Sequence, residues 1–377
     1  MPDLDRIFNA ADMRDFARKR LPKGIFEFVD RGAEDDLAIE NNIEAFRRVK
    51  LKPHMLVDVT ERSAEVTLFG RKQRMPLAIA PAGAAGLLWY QGELEIARAA
   101  ARAGIPYTLA TRSMSSVEEI AQTVEGTHWF QLYMWRERAL SWGLVERVNK
   151  AGFDALIVSL DVPVSPNREF NRRNGFTFPF SLNRRAVIDM LAHPRWLAGV
   201  MGKYAVTTGL PEYEKHPGIA SNVTWDDIRE LRRLWPRVLM VKGILRADDA
   251  ERAVNLGVDG IIVSNHGGRC LDAAVATIDA LPEIVDRVGT RATVLLDGGI
   301  RRGTDIVKAL SLGASAVLSG RPPLFGLAAA GGAGAEKMLS ILHQELLTAM
   351  GQVGSPTIAQ LSSDLIARSP GLQGAAK

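Results

Sequence analysis

The chain has 377 residues, and 47% of them are hydrophobic, so it can bury a large core as one or two domains. Its 47 basic and 43 acidic residues leave a formal net charge of only +4, which excludes the strongly basic surface of a nucleic-acid-binding protein. The single cysteine, Cys270, excludes an intrachain disulfide and a cysteine-based zinc site, and we predict no metal centre.

The first 75 residues predict a helical cap in front of a larger unit, with helical patterns at Arg14–Arg20, Phe26–Val29 and Asn42–Phe46. The chain begins MPDLDRIFNA, without the apolar stretch of a signal peptide, and no run of about 18 apolar residues follows. We therefore expect a cytoplasmic protein, or one that binds peripherally to the inner face of the cell membrane.

From residue 76 onwards, short apolar runs alternate with longer amphipathic segments. The apolar runs predict eight strands: Leu77–Ala80, Tyr107–Ala110, Trp129–Leu132, Ala155–Ser159, Val238–Val241, Gly260–Val263, Thr293–Leu296 and Ala316–Leu318. Helical patterns follow most of them: Glu93–Arg102, Val117–Thr123, Leu140–Ala151, Trp225–Leu234, Asp248–Leu256, Ile278–Val288 and Thr304–Leu312.

Strands that are apolar throughout and alternate with helices indicate a parallel sheet covered on both faces. Eight such units favour an α/β fold of the closed (β/α)8 type, with residues 1–377 as a single domain and the barrel at 76–377. The alternative is a doubly wound sheet, which requires a GxGxxG turn after the first strand. The segment PAGAAG at Pro81–Gly86 does not have that spacing.

A long insertion interrupts the alternation after the fourth strand, between Asp161 and Thr224. A connection of this length is far longer than the usual strand-to-helix loop. Its middle, Met190–Tyr204, combines Trp196 and Tyr204 with basic residues. We favour a lid over the barrel mouth at residues 162–223, and a segment that lies on a membrane surface is the alternative.

Polar side chains cluster at the predicted carboxyl ends of the strands, where barrels of this type carry their active sites. These residues are Gln131, Tyr133, Ser159, Asp161, Lys242, His266, Arg269, Asp297, Gly299, Arg301, Gly320 and Arg321.

The segments DGGIRRG and SGRP follow strands seven and eight and predict a phosphate site. Their glycines let backbone N–H groups approach a phosphate, and the next helix offers its positive amino terminus. Arg301 and Arg321 add positive charge. The alternative is a pair of tight turns whose arginines are solvated.

His266 directly follows strand six, with Arg269 three residues later and Asp161 at the end of a neighbouring strand. A base, a carboxylate partner and an anion-binding arginine would then face one cavity, as proton abstraction from an anionic substrate requires. Lys242 either pairs with a carboxylate or provides a fixed positive charge for a reduced cofactor. Cys270 is expected to be inert, because the surrounding sequence offers no partner base.

Three motifs carry a resemblance that extends from LPKGIFEFVDRGAED at Leu21–Asp35 to the helices after Arg321. They are SNHGGR, LLDGGIRRGTDIVKALSLGA and SGRP. The chain resembles the FMN-dependent 2-hydroxy acid dehydrogenases and oxidases, which include glycolate oxidase, lactate oxidase and lactate and mandelate dehydrogenases. APAGAAGLLW at Ala80–Trp89 is most similar to the mandelate dehydrogenase branch.

The resemblance implies a role for each matching residue. His266 would be the base and Asp161 its hydrogen-bonded partner, with Lys242 as a further catalytic residue. Arg168, Arg269 and Tyr133 would bind the substrate. The flavin and its phosphate would be held by Pro81, Ala82, Gly83, Ala110, Gln131, Ser159, Lys242, Ser264, Asp297, Gly299, Arg301, Gly320 and Arg321.

Three positions depart from the family pattern. Phe28 replaces a carboxylate-binding tyrosine, Ala110 replaces a common flavin-contacting serine, and Arg112 stands near a position that is aromatic in glycolate oxidase. We expect Phe28 and Arg112 to contact the substrate. Phe28 would favour an aryl or longer-chain acid, and Arg112 would either compensate for the missing hydroxyl or bind a second anionic group.

The implied activity is FMN-dependent oxidation of an (S)-2-hydroxy acid, mandelate-like or lactate-like, to the 2-keto acid. An FMN enzyme that acts on a peptide-derived amine or a larger acid is the alternative. Oxygen, a quinone and a cytochrome all stay open as electron acceptors. The resemblance also implies a homotetramer.

Overall fold

The computed structural model describes residues 3–175, 183–209 and 218–367. Eight parallel strands close into a barrel in chain order, and the last strand pairs with the first. With the two strands of a preceding hairpin, the elements are β1 (Val66–Leu68), β2 (Arg71–Gln73), β3 (Leu77–Ile79), β4 (Tyr107–Ala110), β5 (His128–Leu132), β6 (Ala155–Ser159), β7 (Val238–Ile244), β8 (Gly260–Val263), β9 (Thr293–Asp297) and β10 (Ala316–Ser319). The predicted (β/α)8 barrel is confirmed.

The barrel strands are apolar throughout because both faces of each strand are buried. In β6, Ala155 and Ile157 point into the barrel interior, whereas Leu156 and Val158 pack against the surrounding helices. Side chains alternate between two faces of a strand, so every position of a barrel strand meets either the interior core or the helical layer. This explains why apolar runs predicted the strand positions to within a few residues.

The described ranges contain fifteen α-helices. They are α1 (Ala10–Arg20), α2 (Lys23–Asp30), α3 (Leu37–Arg48), α4 (Gly92–Ala103), α5 (Val117–Thr123), α6 (Arg138–Lys150), α7 (Glu169–Arg173), α8 (Arg184–Leu191), α9 (Pro194–Trp196), α10 (Lys203–Thr207), α11 (Trp225–Leu234), α12 (Ala247–Asn255), α13 (Thr277–Val288), α14 (Gly303–Ser311) and α15 (Arg321–Gln352). A π-helix at Leu197–Gly202 joins α9 to α10, and α15 is kinked at Ala330 and Gly331.

The amino-terminal helices α1 to α3 form the predicted cap. Helix α1 packs along α15, and α2 reaches the carboxyl-terminal mouth of the barrel. There, Arg321 donates hydrogen bonds from Nε to the carbonyl oxygens of Val29 and Asp30, both at 3.1 Å. The last turn of α2 is therefore tied to the strand ends that carry the predicted site.

The β1–β2 hairpin was not predicted, because the sequence pattern before residue 76 suggested only helices. Its turn places Phe69 and Gly70 at φ values of 50° and 79°, a left-handed conformation that a phenylalanine rarely adopts. Phe69 packs edge-on against Trp129, with ring centroids 6.2 Å apart, and Leu68 joins the interior core. The hairpin thus packs against the amino-terminal end of the barrel interior.

The insertion runs from the end of β6 at Ser159 to the start of α11 at Trp225 and contains α7 to α10. Its middle packs on the loop after β3, where Trp196 Nε1 donates to the Leu87 carbonyl at 2.8 Å and Tyr204 Oη accepts from Gln91 N at 3.1 Å. Residues 176–182 and 210–217 of the predicted lid lie outside the described residues. Among the helices that the structure describes, none is long and apolar enough to cross a membrane.

Candidate active site

A cavity of about 550 Å³ lies at the carboxyl ends of the barrel strands. Its size is typical of a site for a cofactor or a small substrate. The predicted site residues that line it are Phe28, Pro81, Ala82, Gly83, Ala110, Arg112, Gln131, Tyr133, Arg168, Lys242, His266, Arg269, Asp297, Gly299, Arg301, Gly320 and Arg321. The fold thus gathers residues from α2, seven strand ends and the insertion around one space.

His266 lies between a carboxylate and a phenol. Its Nδ1 is 2.8 Å from Asp161 Oδ1, and its Nε2 is 3.1 Å from the hydroxyl oxygen of Tyr133. Asp161 does not itself line the cavity but stands behind the imidazole. A carboxylate in that place fixes the orientation of the ring and stabilises its protonated form.

The pKa values of this pair reflect their mutual attraction. Burial alone would lower the pKa of His266, but the charge of Asp161 outweighs it and holds the pKa well above its usual value. Burial opposes the ionised form of Asp161, yet the positive charges of His266 and Lys242 keep the pKa of its carboxyl below the usual value. The arrangement therefore favours a proton on the imidazole, as a group that has just acted as a base requires.

The backbone at His266 is strained. His266, Gly267 and Gly268 have φ values of 57°, 63° and 76°, three consecutive residues in the left-handed region. For a histidine this conformation costs roughly 1–3 kcal/mol, and such residues concentrate at functional sites. The backbone N–H of His266 donates to Ser264 Oγ at 3.0 Å, which helps to hold the turn. The turn projects the imidazole into the cavity.

Lys242 is buried, with its Nζ atom 2.7 Å from Asp297 Oδ2 and donating to Ser264 Oγ at 2.8 Å. Ser264 Oγ in turn donates to Asp297 Oδ2 at 2.9 Å. Burial acts to lower the pKa of Lys242, but the charges of Asp297 and Asp161 outweigh it and raise that pKa above its usual value. Lys242 therefore carries a fixed positive charge at the cavity wall.

The arginines of the cavity are held by backbone carbonyls. Arg269 Nη1 donates to the carbonyls of Phe28 and Arg31 at 2.7 and 2.8 Å, and Arg168 Nη2 donates to the Arg269 carbonyl at 2.9 Å. Arg321 Nη1 donates to the Gly267 carbonyl at 2.8 Å. Among the described residues, no carboxylate forms an ion pair with these arginines or with Arg301.

These unpaired charges make the cavity electropositive. Burial, together with the nearby charge of Arg301, lowers the pKa of Arg321 to about 9. Burial and the charges of Arg168 and Arg321 hold the pKa of Arg269 well below its usual value. Each arginine would be stabilised by an anion that entered the cavity, because an anion would restore the missing counter-charge.

Three predicted site residues are not on the cavity wall. Asp161 and Ser264 act through the hydrogen bonds already described. Ser159 is buried beside Lys242 in the register of β6 and β7, and its hydroxyl has no partner among the described residues. A flavin contact for Ser159 and Ser264 stays a prediction.

Cys270 lies closer to a base than its surroundings in the sequence suggested, and its inertness stays a prediction. Its Sγ atom, one ring nitrogen of His266 and one carboxylate oxygen of Asp161 all lie within 4.8 Å of one another. Apolar periodicity carries no sign of this proximity, because the His266 turn reverses the chain and returns Cys270 to the site. The negative charge that Cys270 can carry is among the causes that raise the pKa of His266.

Sequence reasoning also missed part of the cavity wall. Val29, Arg136 and Asn171 line it, as do Val162 to Pro166 at the start of the insertion and Gly218, Ile219 and Ser221 at its end. The described segment Met190–Tyr204 in the middle of the insertion lines none of it. The described ends of the insertion therefore border the cavity, and the length of this segment was the only signal of that in the sequence. A lid function stays a prediction.

Comparisons with known proteins agree with this geometry. Residues 17–368 match the model of the FMN-dependent dehydrogenase family. The chain is 40% identical to (S)-mandelate dehydrogenase of Pseudomonas putida, over 96% of this chain and 94% of the relative. It is 42% identical to L-lactate oxidase of a Nostoc species, over 97% of this chain and 100% of the relative.

Solved structures give the same result. The crystal structure described as the monotopic membrane protein (S)-mandelate dehydrogenase superposes with a TM-score of 0.91 at 39% identity, covering 97% of this chain and 100% of that one. A mandelate oxidase structure superposes with a TM-score of 0.82 at 39% identity, covering 95% and 98% of the two chains. The chain belongs to the FMN-dependent dehydrogenase family and is a flavin-dependent oxidoreductase.

The residues present fit FMN. The buried Gln131 Nε2 and Ser159 Oγ have no partner among the described residues, and buried polar atoms of this kind normally find one. Gly299 has a φ of 89°, and a Cβ atom there would lie 2.8 Å from the Phe46 ring, so no side chain fits. Arg301 and Arg321 supply charge for a phosphate beside the glycines that end β9 and β10. A cofactor with a phosphate group would give the buried polar atoms hydrogen-bond partners, and its phosphate would balance the charge of the two arginines.

Proposed function

We propose that this protein oxidises an (S)-2-hydroxy acid to the 2-keto acid, with FMN as the oxidant and His266 as the base. The observation that carries the proposal is the His266–Asp161 pair, which faces the same cavity as the unpaired Arg168 and Arg269. The relatives named above act, by their names, on mandelate and lactate, which are both 2-hydroxy acids. A peptide-derived amine is not favoured.

The substrate carboxylate would lie against Arg168 and Arg269, which have no carboxylate partners among the described side chains. This position would bring the 2-hydroxyl group of the substrate to Nε2 of His266. In the structure, that nitrogen shares a hydrogen bond with the hydroxyl group of Tyr133. His266 would take the hydroxyl proton, and Asp161 would stabilise the resulting imidazolium. FMN, when bound, supplies a two-electron acceptor for the hydrogen at Cα.

Lys242 would act without moving a proton. Its charge is held at the cavity wall by Asp297 and Ser264, and its raised pKa keeps it cationic at neutral pH. A preorganised positive charge in a site that excludes water stabilises negative charge that develops nearby. Arg301 and Arg321 would hold the phosphate.

The test of this function is anaerobic reduction of the FMN-loaded protein. The (S) enantiomer of mandelate or lactate should bleach the flavin absorbance and yield one equivalent of the 2-keto acid, whereas the (R) enantiomer should not. Admission of air then distinguishes an oxidase, which reoxidises at once, from a dehydrogenase. Bleaching by neither acid would contradict the proposal.

We also propose that the outer face of α8 and α10 rests on a membrane surface. Val187, Ile188, Leu191 and Val206 are exposed there, with Ile188 at 67% and Val206 at 83%. Arg184 and Arg185 are exposed beside them and would face anionic lipid head groups. The relative of known structure described as a monotopic membrane protein supports this proposal.

A further inference from the structure

The substrate half of the cavity holds more positive charge than a monoacid can balance. Lys242 is paired with Asp297, and His266 with Asp161. Arg301 and Arg321 stand at the ends of β9 and β10, where the phosphate would lie. Four further arginines line the cavity: Arg112, Arg136, Arg168 and Arg269.

These four arginines have no carboxylate partner among the described residues, and the described wall of the cavity contains a single carboxylate, Asp297. The carboxylate of a 2-hydroxy acid would supply one negative charge to Arg168 and Arg269. Arg112, which is half-buried, would still be unbalanced, whereas Arg136 is exposed to solvent at the cavity wall. Charges in a partly closed cavity interact more strongly than in water, so this excess selects for substrates with a second negative charge.

Arg112 is well placed to bind the second charge. Its backbone carbonyl accepts a hydrogen bond from Ala84 N at 3.0 Å, which fixes the loop after β4 against the loop after β3. Its guanidinium lies 5.9 Å from the centre of the Tyr133 ring and makes no hydrogen bond within the described part of the chain. Arg112 and Arg168 both line the cavity, and the charge of Arg112 contributes, after burial, to the lowered pKa of Arg168.

Phe28 lines the cavity, and a cation already lies over its ring. The guanidinium of Arg269 lies over the Phe28 ring, 5.2 Å from its centre. A cation in this position is stabilised by the ring and oriented by it. Phe28 therefore supports an anion-binding arginine, which agrees with a charged substrate.

We propose that the preferred substrate is a 2-hydroxy diacid whose second carboxylate binds Arg112, with Arg136 at the rim of the cavity. This inference rests on the proposed function, because it names the substrate class of the same site. The apolar side chains of Val162 and Ile219 at the cavity wall would contact the methylene groups between the two carboxylates.

The experiment compares acids of equal chain length in anaerobic reduction of the FMN-loaded protein: (S)-2-hydroxyglutarate with (S)-2-hydroxypentanoate, and (S)-2-hydroxyadipate with (S)-2-hydroxyhexanoate. The diacids should have an apparent Kd lower by about tenfold or more, the value of one charge-assisted contact. Arg112→Met should abolish the difference while monoacids still reduce the flavin. Arg112→Lys should retain part of the preference.

Binding provides a second readout that needs no turnover. The 2-keto diacid product should bind to the wild-type protein with an affinity about tenfold higher than that of the matching 2-keto monoacid, measured by calorimetry, and Arg112→Met should remove the difference. Arg287→Met is the matched control, because Arg287 is exposed, pairs with Glu251 at 2.9 Å and does not line the cavity. It should leave both affinities unchanged.

Two results would overturn the inference and leave the proposed function intact. One is equal reduction of the flavin by mono- and diacids in the wild-type protein. The other is an Arg112→Met variant that loses affinity equally for both, since Arg112 would then bind the shared carboxylate. If no 2-hydroxy acid of either kind reduces the flavin, the proposed function fails together with the inference.

Discussion

Among single residues, the proposed chemistry depends most on the proton affinity of His266. The imidazole can take a proton from the substrate only when it is neutral, and its raised pKa means that it is protonated at low pH. Flavin reduction should therefore increase as the pH rises through this pKa, which lies above the usual value because of Asp161.

Asp161→Asn should move that transition to lower pH. The substitution removes the charge that raises the pKa of His266, so burial, which lowers the pKa, would dominate. The rate of flavin reduction at high pH should also fall, because the imidazolium would lose its stabilising partner. The measurement is the pH dependence of the anaerobic reduction rate.

Asp154→Asn is the matched control for this experiment. Asp154 directly precedes β6, whereas Asp161 follows it, and its carboxylate accepts from the backbone N–H of His128 at the opposite end of the barrel. The control should keep the wild-type pH profile. An Asp161→Asn profile that coincides with that of the wild type would show that Asp161 does not set the pKa of the base.

The sequence could identify His266, Asp161 and Lys242, because each follows a strongly predicted strand and strand ends meet at one edge of a barrel. It could not predict the surroundings of Cys270 or the stacking of Arg269 on Phe28. Both depend on the path of loops and of the α2 helix, and apolar periodicity carries no information about such paths.

At the scale of elements, the ends of β9 and β10 form the proposed phosphate site. Arg321→Met should weaken FMN binding by roughly tenfold to a hundredfold, since a hydrogen bond to a charged group contributes about 1.5–3 kcal/mol. Loss of the Arg321 contacts with Val29 and Asp30 would also loosen α2 from the barrel. The measurement is the Kd for FMN after removal and readdition of the cofactor.

Arg302→Met is the matched control for FMN binding. Arg302 is adjacent to Arg301 but points away from the cavity and pairs with Glu345 at 2.6 Å. Its substitution should leave the Kd for FMN unchanged. If Arg321→Met and Arg302→Met bind FMN equally well, the phosphate is not held at the end of β10.

The barrel strands and their helices were predictable because each strand is buried on two faces and each helix on one. The hairpin β1–β2 was not, since its turn places a phenylalanine in a left-handed conformation in which sequence rules expect glycine or asparagine. The helices of the insertion were also missed. They are short, so apolar periodicity identifies them poorly. Tertiary contacts hold them in place, such as the hydrogen bond from Trp196 to the Leu87 carbonyl.

At the scale of the whole molecule, the proposed membrane face predicts a change in partition. Replacing both Ile188 and Leu191 with glutamate should move the protein from the membrane fraction to the supernatant and reduce binding to vesicles that contain anionic lipid. These side chains are 67% and 62% exposed, so the substitutions should leave the fold intact. Sedimentation with vesicles is the measurement.

Leu140→Glu is the matched control for the membrane prediction. Leu140 lies on α6 and is 40% exposed, so this variant adds charge to another apolar side chain away from the proposed face. It should bind vesicles as the wild type does. Equal binding by all variants would remove the membrane proposal, and the described ends of the insertion would keep only their role at the cavity. The tetramer implied by the resemblance stays a prediction, which light scattering can measure.

The central claim is that His266 is the base of a flavin-dependent oxidation of a 2-hydroxy acid. His266→Asn tests it most directly, because asparagine tolerates the left-handed conformation found at this position. The variant should retain FMN, and its anaerobic reduction rate with the (S)-2-hydroxy acid should fall by about 10²–10⁴-fold or more. A variant that retains FMN and is reduced at the wild-type rate would contradict the account.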